Sequence, residues 1–175
     1  MARSLILGGI RSGKSALAET LLAGEPAVTY VATARRYPGD DAWADRIAAH
    51  RRRRPASWAT VECGDPHALA GLVSDARTPL LVDDLGNWVA GLLDGADTGA
   101  AVDALASAVA ACRAPCVLVA PEVGLSVVPA TAAGRAFADV LGTANQAVAG
   151  VCDRVALVVA GQPLWVKGTD PRGVQ

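Results

Sequence analysis

The sequence predicts a single-domain α/β fold, a mostly parallel sheet with helices on both faces, and three observations carry that expectation. Apolar, β-branched-rich runs recur at Ser4 to Leu7, Val28 to Ala32, Leu80 to Asp83, Cys116 to Ala120 and Val155 to Ala160, with a weaker one at Trp58 to Glu62. The runs are continuously apolar instead of alternating, as expected for parallel strands covered on both sides. Longer alanine-rich stretches of helical type separate them, the alternation of a doubly wound sheet.

Size and composition set the frame. A chain of 175 residues, 52% hydrophobic, supports one compact domain over residues 1–175 and excludes a disordered tail as its main content. No apolar run approaches the roughly 18 residues that span a bilayer. Met1-Ala2-Arg3 runs into a strand without a signal-peptide core, so the expectation is a cytoplasmic protein with no membrane insertion. A formal net charge of −1 gives no overall field to recruit nucleic acid. Cys63, Cys112, Cys116 and Cys152 lack the spacing of a metal site and read as reduced and structural.

The first strand, Ser4 to Leu7, opens directly onto Gly8-Gly9-Ile10-Arg11-Ser12-Gly13-Lys14-Ser15. This matches the phosphate-cradling pattern G-x-x-x-x-G-K-[ST], and a helix is expected from Lys14 to Ala23. Strand, glycine loop and helix together are the context the motif needs, which narrows the fold to the P-loop NTPase type. Glycines let successive backbone N–H groups and the positive helix end face an anion, Lys14 supplies a point charge, and Ser15 offers a Mg2+ ligand.

After Val28 to Ala32 a helix is expected from Asp41 to about Arg53. It carries the one strongly basic region, Arg46 and then Arg51, Arg52, Arg53 and Arg54, with His50 among them. Residues three and four apart share a helix face, so Arg46, His50 and Arg53 or Arg54 fall on one stripe, and Pro55 ends the helix. Guanidinium neighbours lower an imidazole pKa, and a neutral imidazole is a nucleophile. The same arginines would hold nucleotide phosphates and offset charge on a departing pyrophosphate. By pattern alone, however, an arginine run is more often a solvated face and a lone histidine more often structural.

The weaker strand Trp58 to Glu62 precedes a helix expected at Pro66 to Ala76, with His67 as a capping or surface residue. Leu80 to Asp83 then ends on an acid, the usual place of the second carboxylate beside a phosphate loop. Asp83 is therefore the candidate for direct or water-mediated Mg2+ binding. The competing role, capping the helix that follows, could fall to Asp83 or to Asp84. Helices are expected at Asn87 to Leu93, Thr98 to Cys112 and Thr131 to Ala149. Pro121 to Pro129 is expected to form a loop at the carboxyl end of its strand, where α/β proteins hold ligands.

Several blocks in order resemble the bifunctional adenosylcobinamide kinase and adenosylcobinamide-phosphate guanylyltransferase family of cobalamin biosynthesis. They are Gly8 to Ser15; Tyr30 to Ala34; Arg46-Ile47 through His50 to Arg54-Pro55, with Trp58, Thr60 and Glu62; Glu122-Val123-Gly124 with Val128-Pro129; Asn145-Gln146; and Leu157 to Gly161 with Lys167. The resemblance implies two reactions: a nucleoside triphosphate, ATP or GTP, phosphorylates adenosylcobinamide, and GTP then donates GMP through an enzyme histidine to the cobinamide phosphate. His50 matches the guanylylated histidine. By the same resemblance Thr33, Ala34, Arg35, Arg51, Arg52, Arg53, Arg54, Glu62 and Asp83 sit where the family binds GTP. A homotrimer is implied, in which a neighbouring chain completes the corrinoid site.

Four positions depart from the family pattern: Ile10 for a commoner alanine, tolerated if it points toward the core; Pro121 for an asparagine; Asp84 for a small residue or cysteine; and Thr143 for an arginine. They bear on contacts of the loop after the Cys116 strand and of the last long helix. Two other functions fit parts of the sequence. One is a monofunctional small-molecule kinase with His50 incidental. The other is a nucleotide-dependent regulator binding RNA through Arg51 to Arg54, which lacks the interleaved aromatics that stack bases.

Overall fold

The computed structural model describes residues 2–34, 55–95 and 97–173. The helix expected from Asp41 to about Arg53 lies outside these residues, together with Arg35, His50 and Arg51 to Arg54. The strands are β1 (Arg3–Gly8), β2 (Val28–Ala32), β3 (Trp58–Glu62), β4 (Leu80–Asp83), β5 (Cys116–Pro121), β6 (Arg154–Val159) and β7 (Gln162–Lys167). The described helices are α1 (Lys14–Leu21), α2 (Leu69–Ser74), α3 (Leu85–Leu92), α4 (Thr98–Ala111) and α5 (Ala132–Val151).

The strands form one sheet in the order β3-β2-β4-β5-β1-β6-β7. β1 to β6 pair in parallel, so their carboxyl ends share one edge. Alternate residues of each buried strand feed opposite faces, the period of two that a pleated strand imposes. Leu5, Leu80, Val82, Leu118 and Val155 enter a core with α2, α3, α4 and α5. Ile6, Leu81, Val117, Val119 and Ala156 enter a second core with Leu17 and Ala18 of α1 and Leu22 just after it. The six expected strands are all present, and the continuous apolar runs are explained by burial on both sides.

β7 is the element the sequence did not announce. Ala160 and Gly161, with φ of 51° and 79°, make a two-residue turn that sends the chain back antiparallel to β6. Consecutive positive φ values are the geometry of a tight primed hairpin, which matches strand twist. Pro163 is tolerated because β7 is an edge strand. Lys167 Nζ reaches the carbonyls of Ala149 (2.8 Å) and Gly150 (3.0 Å), placing a cation on the last turn of α5.

Other boundaries shift for local reasons. Pro66 to Ala68 is a tight 3-10 turn ahead of α2, not part of one long helix, because Asp65 caps it through a 2.9 Å bond from the His67 N–H. α3 begins at Leu85, earlier than expected, since Asp84 caps it. At the amino edge, Arg3 binds Asp153 through its own N–H and its guanidinium, with contacts of 2.8 to 3.1 Å, and joins β1 to the start of β6. All four cysteines are free and buried. Burial pushes the Cys152 thiol up to about 12.

Candidate functional site

The glycine loop connects β1 to α1 at the carboxyl edge of the sheet. Gly13 has φ 98° and is the N-terminal cap of α1, a conformation that excludes most side chains. At Gly8 a Cβ would stand 2.4 Å from Ser12 Oγ and 2.8 Å from the Val158 carbonyl, so the loop closes against β6 only with glycine there. The Ser12 N–H donates to the Gly9 carbonyl at 3.3 Å and the Leu17 N–H to the Gly13 carbonyl at 3.0 Å, and the helix follows without a break. Arg11 takes a left-handed φ of 56°. Lys14 Nζ rests 3.2 Å from the Gly9 carbonyl, over the loop whose phosphates it is suited to meet. Ile10 is 94% exposed. Pointing toward the core was the condition set for tolerating it; that condition is not met, and solvent accommodates the side chain instead.

The carboxyl ends of β3, β2 and β4 lie side by side, with Ala32 in register with both Glu62 and Asp83. Asp83 faces the α1 side of the sheet, as Leu81 does two residues earlier. Ser15 Oγ donates to Asp83 Oδ1 at 3.4 Å, and the Tyr30 hydroxyl donates to Oδ2 at 3.0 Å. The strand acid and the loop serine, the two residues the sequence offers as Mg2+ ligands, are thus in contact, although β5 lies between β4 and β1. Tyr30 was not expected there. The parity of β2 and β4 was the available signal: Tyr30 pairs with Leu81, so it shares a face with Leu81 and with Asp83 two residues on.

Asp84 resolves the question of the cap. Its Oδ1 accepts the Asn87 N–H at 2.8 Å and the Asn87 side-chain amide at 3.1 Å. Burial raises the Asp84 pKa and the neighbouring Asp83 charge adds to the shift, while the Asn87 N–H and Lys14 oppose it. With Asp84 on the helix, Asp83 is left to the loop side. Thr33 is buried, and its hydroxyl donates to the Asp84 carbonyl at 2.6 Å, tying the end of β2 to the end of β4. Ala34 follows it, half-buried, and Glu62 is exposed at the end of β3. Among the predicted nucleotide residues, Gly8 to Ser15, Thr33, Ala34, Glu62 and Asp83 therefore share one edge. Arg35, His50 and Arg51 to Arg54 lie outside the described residues.

The loop after β5 leaves the same edge. The Glu122 N–H donates to the Gly8 carbonyl at 3.1 Å, and Thr131 caps α5 through a 3.1 Å bond from the Gly134 N–H. Leu125, Val127 and Val128 on this loop are 74 to 91% exposed, and the loop is joined to the phosphate loop, which carries Ile10, through that Glu122–Gly8 bond. Asn145, buried in α5, holds the Pro121 carbonyl at 3.1 Å. Pro121 in turn would collide with any side chain at Gly86, its Cγ standing 2.6 Å from a Cβ there. Thr143 is exposed and bonds the Asp139 carbonyl within α5.

The edge can hold a polyphosphate: a cradle of backbone N–H groups, a lysine, and a hydroxyl and carboxylate in contact. Solved structures share the architecture. A type III secretion ATPase from pathogenic bacteria matches 89% of this chain and 50% of its own with a TM-score of 0.55 at 11% identity. The assembled ATPase EscN of enteropathogenic E. coli matches 91% and 43%, with a TM-score of 0.51 at 13% identity. At such identities the likeness speaks to fold, and the fold is of the P-loop NTPase type. No described helix is long and apolar enough to cross a membrane.

Sequence relatives are far nearer. The bifunctional adenosylcobalamin biosynthesis protein CobP of Pseudomonas aeruginosa is 43% identical over 173 residues, spanning 95% of this chain and 98% of that one. The bifunctional adenosylcobalamin biosynthesis protein CobU of Salmonella typhimurium is 37% identical over 182 residues, spanning 93% and 98%. The family model described as cobinamide kinase / cobinamide phosphate guanyltransferase matches residues 4–166, from the first strand through the loop, Asp83 and both strands of the last hairpin. With the family model matching residues 4–166 and relatives 37% and 43% identical over nearly their whole length, the chain belongs to the cobinamide kinase / cobinamide phosphate guanyltransferase family.

Proposed function

We propose that the chain, acting as one nucleotide-binding domain, phosphorylates adenosylcobinamide with ATP or GTP. It then transfers GMP from GTP, through a guanylyl-histidine at His50, to adenosylcobinamide phosphate. The observation that carries this reading is the Gly8 to Ser15 loop closed against Asp83, in a chain that matches bifunctional cobalamin biosynthesis proteins along almost their full length.

In the kinase step the acceptor hydroxyl oxygen attacks the γ-phosphorus and the bond to the β-phosphate oxygen breaks, releasing the nucleoside diphosphate, while the hydroxyl proton passes to solvent. In the guanylyl step an imidazole nitrogen of His50 attacks the α-phosphorus and pyrophosphate leaves. An oxygen of the acceptor phosphate then attacks that phosphorus, and the P–N bond breaks to regenerate the imidazole. Both are displacements at phosphorus with polyphosphate leaving groups, so one cradle that fixes the chain of phosphates serves each in turn. The loop N–H groups and Lys14 offset charge on the leaving oxygens, and Arg51 to Arg54 are assigned to the same task from the His50 side.

The donor set suits Mg2+. Ser15 Oγ and Asp83 Oδ1 are hard oxygens already in contact, few enough to leave coordination positions for phosphate and water, and Tyr30 fixes the other carboxylate oxygen. Bound there, the ion would neutralise phosphate charge. Thr33, Ala34, Arg35 and Glu62 complete the proposed nucleotide contacts. A cytoplasmic homotrimer, with a neighbouring chain completing the corrinoid site, fits the family reading.

The exposed apolar side chains at this edge fit the acceptor. Ile10, Leu125, Val127 and Val128 offer a surface to the methyl-bearing rim of a corrin ring. Fully burying a Val or Leu side chain stabilises by about 1.5–3 kcal/mol, so Leu125→Ser with Val127→Ser raises the KM for the corrinoid by about tenfold or more while the rate of GTP labelling stays unchanged. Steady-state kinetics in both half-reactions check this.

The whole reading is tested by supplying adenosylcobinamide, Mg2+, ATP and GTP and resolving products by chromatography and mass spectrometry. Adenosylcobinamide phosphate followed by adenosylcobinamide-GDP is the expected sequence. Accumulation of the phosphate alone, with GTP untouched at its α-phosphorus, would replace it with the monofunctional kinase.

A further inference from the structure

The hairpin turn between β6 and β7 touches the phosphate loop. The Gly161 N–H donates to the Ser12 carbonyl at 2.8 Å. Gly13 is packed onto the same turn, a Cβ there meeting Gly161 Cα at 3.2 Å. Two residues before the turn, Val158 supplies the carbonyl that crowds Gly8. The block Leu157 to Gly161 shares no residue with the proposed chemistry, yet its last member holds the loop.

We propose that Gly161 is a positioning residue for polyphosphate binding: its N–H, by holding the Ser12 carbonyl, aims the Gly13 N–H into the anion cradle. The inference rests on the phosphate-loop reading above. In a planar trans peptide the carbonyl of one residue and the N–H of the next point in opposite directions. The Ser12–Gly13 peptide is trans, the cis peptide of the described residues being Asp83–Asp84. Fixing the Ser12 carbonyl toward the hairpin therefore turns the Gly13 N–H away from it, to the side on which the anion is bound.

Nothing local fixes that orientation. Gly13 accepts either sign of φ at little cost, so the peptide before it is free to rotate unless something outside the loop holds it. The Ser12 side chain does not substitute, because Ser12 Oγ faces the Lys14 N–H at 3.4 Å. The turn can reach the loop only because Ala160 and Gly161 both take positive φ, which brings a free N–H back over β6. A correctly aimed N–H in a nest acts on phosphate as a fixed partial charge, while a rotated peptide would present a carbonyl to the anion instead.

The test replaces the Gly161 amide by an ester, using glycolic acid at position 161, which deletes the N–H without adding atoms. Affinity for inorganic tripolyphosphate, GTP and ATP is measured by calorimetry beside Gly161→Asn, which keeps the N–H and tolerates positive φ. The ester lowers all three affinities together by about tenfold, since a lost donor leaves the Ser12 carbonyl facing an ester oxygen, and Gly161→Asn stays within about threefold. A folded ester variant with unchanged affinity overturns the proposal.

A second measurement needs no variant. Because coupling between two equilibria is reciprocal, saturating the wild-type chain with tripolyphosphate slows hydrogen exchange at the Gly161 amide more than at amides toward the Lys167 end of the same hairpin. Equal slowing along the hairpin overturns the proposal too. A wild-type chain that binds no tripolyphosphate sinks the phosphate-loop reading itself, and the role of Gly161 with it.

Discussion

His50→Ala leaves the protein unlabelled after incubation with Mg2+ and α-labelled GTP, whereas the wild-type chain retains one labelled guanylyl group and releases pyrophosphate without any corrinoid. The expected adduct is a phosphoramidate, labile in acid and stable in alkali, and added pyrophosphate reverses it. Removing a covalent nucleophile typically costs far more than removing an auxiliary contact, so guanylyl transfer to adenosylcobinamide phosphate falls by at least about 10³-fold. Phosphorylation of adenosylcobinamide, which forms no bond to His50, stays within about threefold of wild type, and that contrast separates a lost nucleophile from a damaged fold. Intact-protein mass spectrometry reads the adduct directly. Label that survives in His50→Ala, or a wild-type chain that never retains it, removes the covalent mechanism and favours the kinase in which His50 is incidental.

The parts of this molecule that the sequence announces are those whose cause is local. A strand buried on both faces reads as a nearly continuous apolar run, so β1, β2, β4, β5 and β6 are visible, and β3 as a weaker one at the sheet edge. The phosphate loop is visible because only glycine fits at Gly8, against Val158, and at Gly13, with its left-handed φ. Asp83 is found by its place at the end of a strand, and parity along β4 puts it on the α1 face.

What was not legible turns on backbone geometry that residue type alone does not announce. Asp83 and Asp84 are chemically equal neighbours, and only the position of Asn87 on a helix beginning at Leu85 gives the cap to Asp84. β7 was hidden because its signal is two positive φ values at Ala160 and Gly161, and alanine does not advertise one. Ile10, whose tolerance in the loop was tied to a core-facing side chain, is nearly fully exposed, since the loop needs its backbone and leaves the side chain to solvent.

Lys14→Ala is expected to lower both activities, by about 10² to 10³-fold, the usual consequence of deleting one preorganised group at developing charge. The size of the loss follows from the site. Lys14 Nζ lies over the Gly9 carbonyl at the mouth of the loop, and its flexible stem lets the charge follow oxygens as a phosphate bond breaks. Stability should change little, because the side chain is half-buried and its one bond is to a backbone carbonyl near the surface. The informative quantity is the pair of losses. If one cradle holds the triphosphate in both reactions, phosphoryl transfer from the γ-position and labelling of His50 from the α-position decline together, since each needs the same chain of phosphates fixed. Loss of the kinase step with normal His50 labelling would instead require two nucleotide sites, and the Arg51 to Arg54 segment would then hold GTP without the loop. Calorimetric binding of GTP and ATP to Lys14→Ala decides between these outcomes, because a shared site weakens both ligands and separate sites weaken one.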